Sequence, residues 1–174
     1  MPLMTKRPPA ISGVSASSEA EIQTVYPSIA ATSIGKLLGS LYGCLPISVG
    51  GIKLSHLIFP LPTAPLGVLV FFWQKVCGQV YVLTNRSIRF RSALGPKLYQ
   101  KVLLQDIADV VVDQKAGQDF YPAADLILVG KKGETLAVLA GVPRGDVFRQ
   151  SILEARNARV QTEASLATIK ARGN

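Results

Sequence analysis

Residues able to do chemistry are few in this chain, and they do not assemble into a recognisable set. The single histidine, His56, sits in an apolar stretch. It reads as an interfacial polar residue rather than a proton relay, and no serine of the folded region has it as a partner for nucleophilic attack. Asp106, Asp109 and Asp113 suggest a metal site at first sight. On a strand, however, 109 and 113 share a face while 106 points away, so a solvated edge is the better reading. No glycine-rich loop is followed by the Lys-Ser/Thr of a phosphate cradle. Cys44 and Cys77 are too few for a disulfide framework or a zinc site, and read as small apolar residues. No catalytic, cofactor-binding or metal-ligating residue is expected, and the chain is expected not to be an enzyme. One cluster stands out: Arg86, Arg89 and Arg91. Arg89 and Arg91 point to one side of a strand and Arg86 lies at a turn. Such bases suit contact with anionic head groups, each worth about 1 kcal/mol near a lipid surface. The competing reading is ordinary strand solvation together with a topology signal.

The elements that must position that cluster begin with an apolar block. From Leu37 to Gln74, Lys53 is the only Lys, Arg, Asp or Glu. It divides the block into Leu37–Ile52, with 16 residues free of formal charge, and Leu54–Gln74, with 21. A spanning helix needs about 20 residues, so the first reading is a two-helix hairpin, about 34–52 and 57–77, turning near Gly50–His56. Pro46, Pro60, Pro62 and Pro65 favour a re-entrant or interfacial hairpin instead. A third reading buries the block as a soluble core. Trp73 followed by Gln74-Lys75 resembles an interface anchor, and Thr63 is placed to cap a helix with Pro65 in its first turn, leaving 57–62 extended. The bases after the block (Lys75, Arg86, Arg89, Arg91) put the following region on the cytoplasmic side of a cell membrane.

After the block the hydrophobic period becomes two. Strands are expected over Gln79–Thr84 and Ser87–Arg91, with Asn85 in the turn between them. Lys97–Leu104 and Ile107–Val112 follow, then a hairpin of Ala124–Val129 and Thr135–Ala140 across residues 130–133. A helix starts near Pro143, with Val147, Phe148, Ile152 and Ala155 on one face. Its face weakens after about Arg156, so residues 158–174 are expected to be a helical extension or a frayed tail. Residues 1–18, rich in Pro, Ser and Ala, read as a disordered tail. Residues 19–33 read as an extended lead-in to a membrane-associated segment over 19–78.

A length of 174 residues with 48% hydrophobic and 17% charged residues supports one core plus appendages. The mean hydropathy of +0.30 is high, with the excess concentrated in the block. The net charge of +8 is spread along the chain. It forms no basic arm, and nucleic acid is not an expected partner. No secretory signal is expected at the N-terminus, where Lys6-Arg7 is followed by two prolines and a polar stretch.

The run Tyr81-Val82-Leu83-Thr84-Asn85-Arg86-Ser87-Ile88 resembles the opening strand motif of bacterial pleckstrin-homology (PH)-like domains. Ile107 with Val110-Val111-Val112, the strand Asp125-Leu126-Ile127-Leu128, and Leu139-Ala140-Gly141-Val142-Pro143 with Val147 and Ile152 are similar to that family's later strands and closing helix. The resemblance covers about 79–157 and implies an α+β fold: a small PH-like antiparallel barrel or sandwich capped by a C-terminal helix, here preceded by the hydrophobic helical hairpin. About six strands are evident after the block where the fold has seven, so either residues 20–26 supply one or two have been fused. The function this implies is a non-enzymatic, membrane-anchored module that meets membrane lipids or an unidentified protein partner, with a homo-oligomer also compatible. The alternative is a soluble lipid-binding module that buries the block as its own core.

Overall fold

The computed structural model describes residues 19–44, 48–49, 52–53 and 58–172. The expected tail over 1–18 and, within the expected turn, residues 50–51 and 54–56 including His56 lie outside the described residues.

Seven longer strands form two antiparallel sheets. The first sheet has the order β1 (Glu21–Val25), β4 (Gln79–Thr84), β5 (Ser87–Ser92), β6 (Leu98–Leu103). The second is the meander β7 (Ile107–Asp113), β8 (Ala123–Gly130), β9 (Thr135–Pro143). The strand missing from the sequence count is therefore β1. It pairs with β4 through Glu21 opposite Thr84 and Val25 opposite Tyr81. With five residues, two of them acidic or amide and only Val25 buried, it carries little hydrophobic periodicity, which is why it reads as a lead-in.

The sheets face each other across one core and remain separate hydrogen-bonded units, so the fold is a sandwich and not a closed barrel. Tyr81, Leu83, Ile88 and Phe90 meet Val110, Leu126, Leu128 and Leu139 there, and Phe148 and Ile152 of the C-terminal helix complete it. The Tyr81 hydroxyl ties the layers, accepting from the Ala140 N–H at 2.9 Å and lying 3.3 Å from the Ala140 carbonyl. Burial pushes that phenol up to about 12, so it stays a neutral donor and acceptor.

Two helices interrupt the first sheet between β1 and β4. Helix α1 (Ser33–Gly43) follows a 3-10 turn and is capped by the Thr32 hydroxyl, which accepts from the Gly35 N–H at 3.0 Å. It has 11 residues where a longer helix to 52 is expected. It ends at Gly43, and β2 (Ser48–Val49) pairs with β3 (Ile52–Lys53) beyond it. Helix α2 (Pro60–Cys77) begins three residues after the expected 57 and ends at the expected 77, and it starts ahead of the cap expected at Thr63. Pro60 and Pro62 fall in its first turn, where a missing N–H costs nothing, and Pro65 lies inside it. Thr63 is thus not its cap; its hydroxyl bonds to the Phe59 carbonyl at 2.7 Å. At about 1.5 Å per residue α1 and α2 are roughly 16 and 27 Å long. Among the described residues, no helix is long and apolar enough to cross a membrane.

Helix α3 (Gly145–Arg172) is continuous past residue 157. Phe148 and Ile152 are buried at its start, and exposure dominates after Arg156.

Candidate functional site

Helix α2 is apolar on nearly every side and packs on only one. Thr63, Gly67, Val70 and Gln74 recur at spacings of four, three and four and form its inward stripe. The rest of the helix is exposed: Leu61 at 85%, Leu69 at 68%, Trp73 at 69%, with Leu66, Val68, Phe71, Phe72 and Val76 between and beside them. Ile34 and Leu37 of α1 extend the surface, and a groove of about 510 Å³ between Ile34, Leu69 and Trp73 joins the two helices. The described part of the block is therefore not in the main core of this fold. A helix that is hydrophobic all round is normally enclosed by protein or lipid, and an exposed apolar surface of this extent marks a contact site. Lys75 closes its C-terminal end, with its ammonium 4.3 Å from the centre of the Tyr26 ring.

The helical pair is fixed to the sandwich by polar and backbone contacts. Asp125 of β8, buried to 2% exposure, is the centre of this junction. It accepts from the Gly141 N–H at 2.8 Å, Gln118 Nε2 at 2.6 Å, Lys36 Nζ of α1 at 3.1 Å and Lys115 Nζ at 3.0 Å. Burial alone would raise the carboxyl's pKa. The bonds from Gly141, Lys115, Gln118 and Lys36 outweigh burial and hold it below the usual carboxylate range. Beside this node the backbones touch. A Cβ on Gly39 would lie 1.9 Å from the Gly117 carbonyl oxygen, and Gly117 itself has φ of +83°. Gln74 Nε2 donates to the Ser28 carbonyl at 2.9 Å, and Tyr42 and Thr63 hydroxyls meet at 2.6 Å between α1 and α2. Lys36 reads from sequence as a base flanking the apolar block. Its partner lies 89 positions away, and no local pattern announces it.

Arg89 and Arg91 lie on one face of the first sheet and already have partners there. Arg89 pairs with Glu19, and Arg91 with Glu21 at 3.2 Å. Arg86 sits at the β4–β5 turn, its backbone N–H 3.3 Å from the Thr84 hydroxyl and its carbonyl accepting from the Leu104 N–H. Glu19 was not singled out by sequence. It receives Ser87 Oγ, Thr84 Oγ1 at 2.8 Å, Arg89 and Lys101 Nζ at 3.1 Å. Burial raises its pKa, and the bonds from Ser87, Arg89, Thr84 and Lys101 more than reverse this, lowering it to about 2. Thr84 and Ser87 are fully buried, and a hydroxyl pair buried on a strand face was the available signal.

The three aspartates do not converge. Asp109 lies 3.4 Å from Arg149, Asp113 lies 3.9 Å from Lys115, and Asp106 is in a short 3-10 turn before β7. Among the described residues, no group of three or more His, Cys, Asp or Glu could hold a metal ion. Cys44 and Cys77 are exposed free thiols. An open groove of about 760 Å³ between α3 and the start of β7 is lined by Gln105, Asp106, Lys131, Arg156 and Gln161. It brings together no acid, base and nucleophile in a catalytic arrangement. No protein-family model matches the chain, and no curated protein matches it significantly.

Proposed function

We propose that this chain is a non-enzymatic, membrane-associated module of PH-like architecture. It docks on the cytoplasmic face of a membrane through α2 and the exposed side of α1, and holds the sandwich there for a protein or lipid partner. The observation that carries this reading is the exposed apolar surface of α2, from Leu61 to Val76. The lengths of the helices favour re-entrant or interfacial docking, with Trp73 and Lys75 at the head-group level, over a span. The PH-like reading is supported by four strands, then three, then a closing helix, in the order its motifs imply. The cytoplasmic side is supported by the bases that follow the block.

Vesicle flotation of the detergent-purified full chain tests the docking. The wild type floats with vesicles. Leu69→Glu lowers the partition coefficient about 30-fold, since a charge placed in the apolar phase costs about 2 kcal/mol or more. Leu69 is 68% exposed, so the fold is unaffected. A wild-type protein that stays monodisperse without detergent and does not float refutes the reading.

A further inference from the structure

The loop between β5 and β6 leaves the first sheet beside the root of α2. Gln79 pairs with Ser92, and the Ala93 N–H donates at 2.9 Å to the carbonyl of Gly78, the residue that closes α2. The Ser92 N–H donates to the Lys97 carbonyl at 2.9 Å and shuts the loop. Gly95, at a φ of +96°, makes a turn that a side chain would strain. What the loop presents is apolar. Leu94 at its tip is 63% exposed, and Leu98 and Tyr99 follow it, also exposed. One exposed leucine is ordinary on a protein surface. Two observations set this one apart. First, the loop continues the exposed side of α2, because Tyr26, Phe71, Lys75 and Ala93 line one shallow depression between helix and loop. Second, both elements set an ammonium against an aromatic ring. Lys97 Nζ lies 5.3 Å from the centre of the Tyr99 ring, as Lys75 Nζ lies 4.3 Å from that of Tyr26. Aromatic rings beside lysines suit the boundary between hydrocarbon and water. No Asp or Glu occurs between Glu21 and Asp106, so neither α2 nor the loop brings a negative charge of its own to such a boundary.

We propose that the β5–β6 loop is a second membrane contact, and that it fixes the tilt of the sandwich on a bilayer carrying negative charge. The proposal rests on the docking of α2 put forward above and adds a separate surface to it. Leu94 enters the head-group boundary at the level of Trp73. Lys75 and Lys97 meet the head groups from the same side, where an anionic leaflet attracts them and salt screens the attraction. The commitment to a lipid surface follows from this charge pattern and from the unbroken apolar path between Phe71 and Leu94. A helix docked alone leaves the attached sheet free to roll about the helix axis. A contact made by the sheet itself, one residue beyond the Ala93–Gly78 bond, removes that freedom. The opposite end of β4, at Thr84, is then held about 17 Å from the Gln79 end, in the aqueous phase.

The test places one environment-sensitive dye at a time on the full chain, in a background of Cys44→Ser and Cys77→Ser. Both thiols are exposed, so their loss leaves the core as it is. The dye is attached through Leu94→Cys, Leu69→Cys or Lys132→Cys. Lys132 follows Gly130, which pairs with Ile107, and the neighbouring Leu104 N–H bonds to the Arg86 carbonyl, so it marks the end of the fold away from α2. Detergent-purified protein is transferred to phosphatidylcholine–phosphatidylglycerol vesicles by removing the detergent, and the vesicles are recovered by flotation. A lipid with a nitroxide near its head group and iodide in the water then serve as opposing quenchers. Dyes at positions 94 and 69 should be quenched by the nitroxide lipid and shielded from iodide several-fold relative to the dye at 132, which should behave in reverse. If the dye at 69 is in lipid while that at 94 is as open to iodide as that at 132, the loop contact is overturned and the docking of α2 stands. If the dye at 69 is also in water, both fall. Leu94→Asp gives a reading without a dye. Its partition onto the same vesicles should fall several-fold, most of all at low salt, and a partition equal to the wild type's overturns the proposal.

Discussion

Replacing Asp125 with Asn should loosen the helical pair from the sandwich without emptying the core. The carboxylate is 3% exposed, and its two oxygens serve different groups. Oδ1 accepts from Gly141 and Gln118, while Oδ2 faces the ammoniums of Lys36 and Lys115. Asn retains an oxygen for the first pair and turns an NH₂ toward the second. A charge-assisted bond is worth about 1.5–3 kcal/mol when buried. Lys115 is 50% exposed and solvent screens its pair, so the loss falls on the Lys36 bond, where Lys36 is 23% exposed, and is about 1.5–2 kcal/mol. For a chain of this size that lowers Tm by roughly 3–8 °C. The loss should be local, because Lys36 is the ion-pair link from α1 to β8 while Leu126 and Leu128 keep their packing. Hydrogen exchange should accelerate in α1 more than in β4 or β5. Lys36→Met should cost less than Asp125→Asn, and the double variant should fall short of additivity by about 1 kcal/mol. A Tm change below about 1 °C, or strict additivity, would show that the node does not hold the helices in place.

Two further predictions rest on the same structure. Gly39→Ala should destabilise the protein by about 1–3 kcal/mol in urea titrations, since the new methyl would sit 1.9 Å from the Gly117 carbonyl and one backbone must retreat; Gly43→Ala, with nothing within 4 Å, should be neutral or slightly stabilising. Stability should also fall in acid. Glu19 has a folded pKa of about 2 against an ordinary value of 4.5, so its contribution is complete above 4.5 and is lost as the pH falls toward 2. That gap corresponds to at most about 3 kcal/mol. Asp125 shifts in the same direction and adds to the loss. Urea unfolding at pH 6 and pH 3 should therefore show a smaller difference for Glu19→Gln than for the wild type, and an equal difference would refute the assignment.

The strand region was legible because period-two runs and turn residues agree. Val80 to Thr84, Ile88 to Phe90 and Ala124 to Val129 are all strands, and Asn85, Gly95 and residues 131–133 lie in bends or turns. The helical insertion was less legible. Apolar content alone does not distinguish a helix that continues from one that stops, and α1 ends at Gly43 although uncharged residues run on to Ile52. The prolines of α2 misled in the opposite direction, since Pro60 and Pro62 read as an extended entry and instead occupy the helix's first turn. Nothing local could place β1 beside β4, because the pairing joins residues some 60 positions apart and its strongest determinants are the polar contacts of Glu19 and Asn85. The arginines were legible as a cluster and not as a pocket, for the same reason: their partners precede the apolar block in sequence.

The position of the insertion has a mechanical consequence. Because β1 and β4 are antiparallel neighbours, with Val25 opposite Tyr81, the chain leaves the sheet after β1 and returns before β4 at the same end. The apolar helices therefore emerge at one end of the sheet, and Glu19, Thr84 and Ser87 lie at the other. Central strand β4 runs between the two places, and so does the edge strand β1. Strand β1 is anchored at its start by the paired bonds between Ala20 and Asn85, and just beyond its end by the Ser28 N–H on the Gly141 carbonyl at 2.8 Å. A load on α2 reaches Ser28 directly through Gln74 and reaches Gly141 through Lys36 and Asp125. Pulling on the helices thus loads the far anchor of β1 as well as β4, which α2 joins through Gly78, whereas a change at Glu19 acts on the near anchor. Both β4 and β1 run between the two ends, and β1 is the weaker link of the two: its side chains bury little and its register with β4 shifts between Glu21 and Gln23.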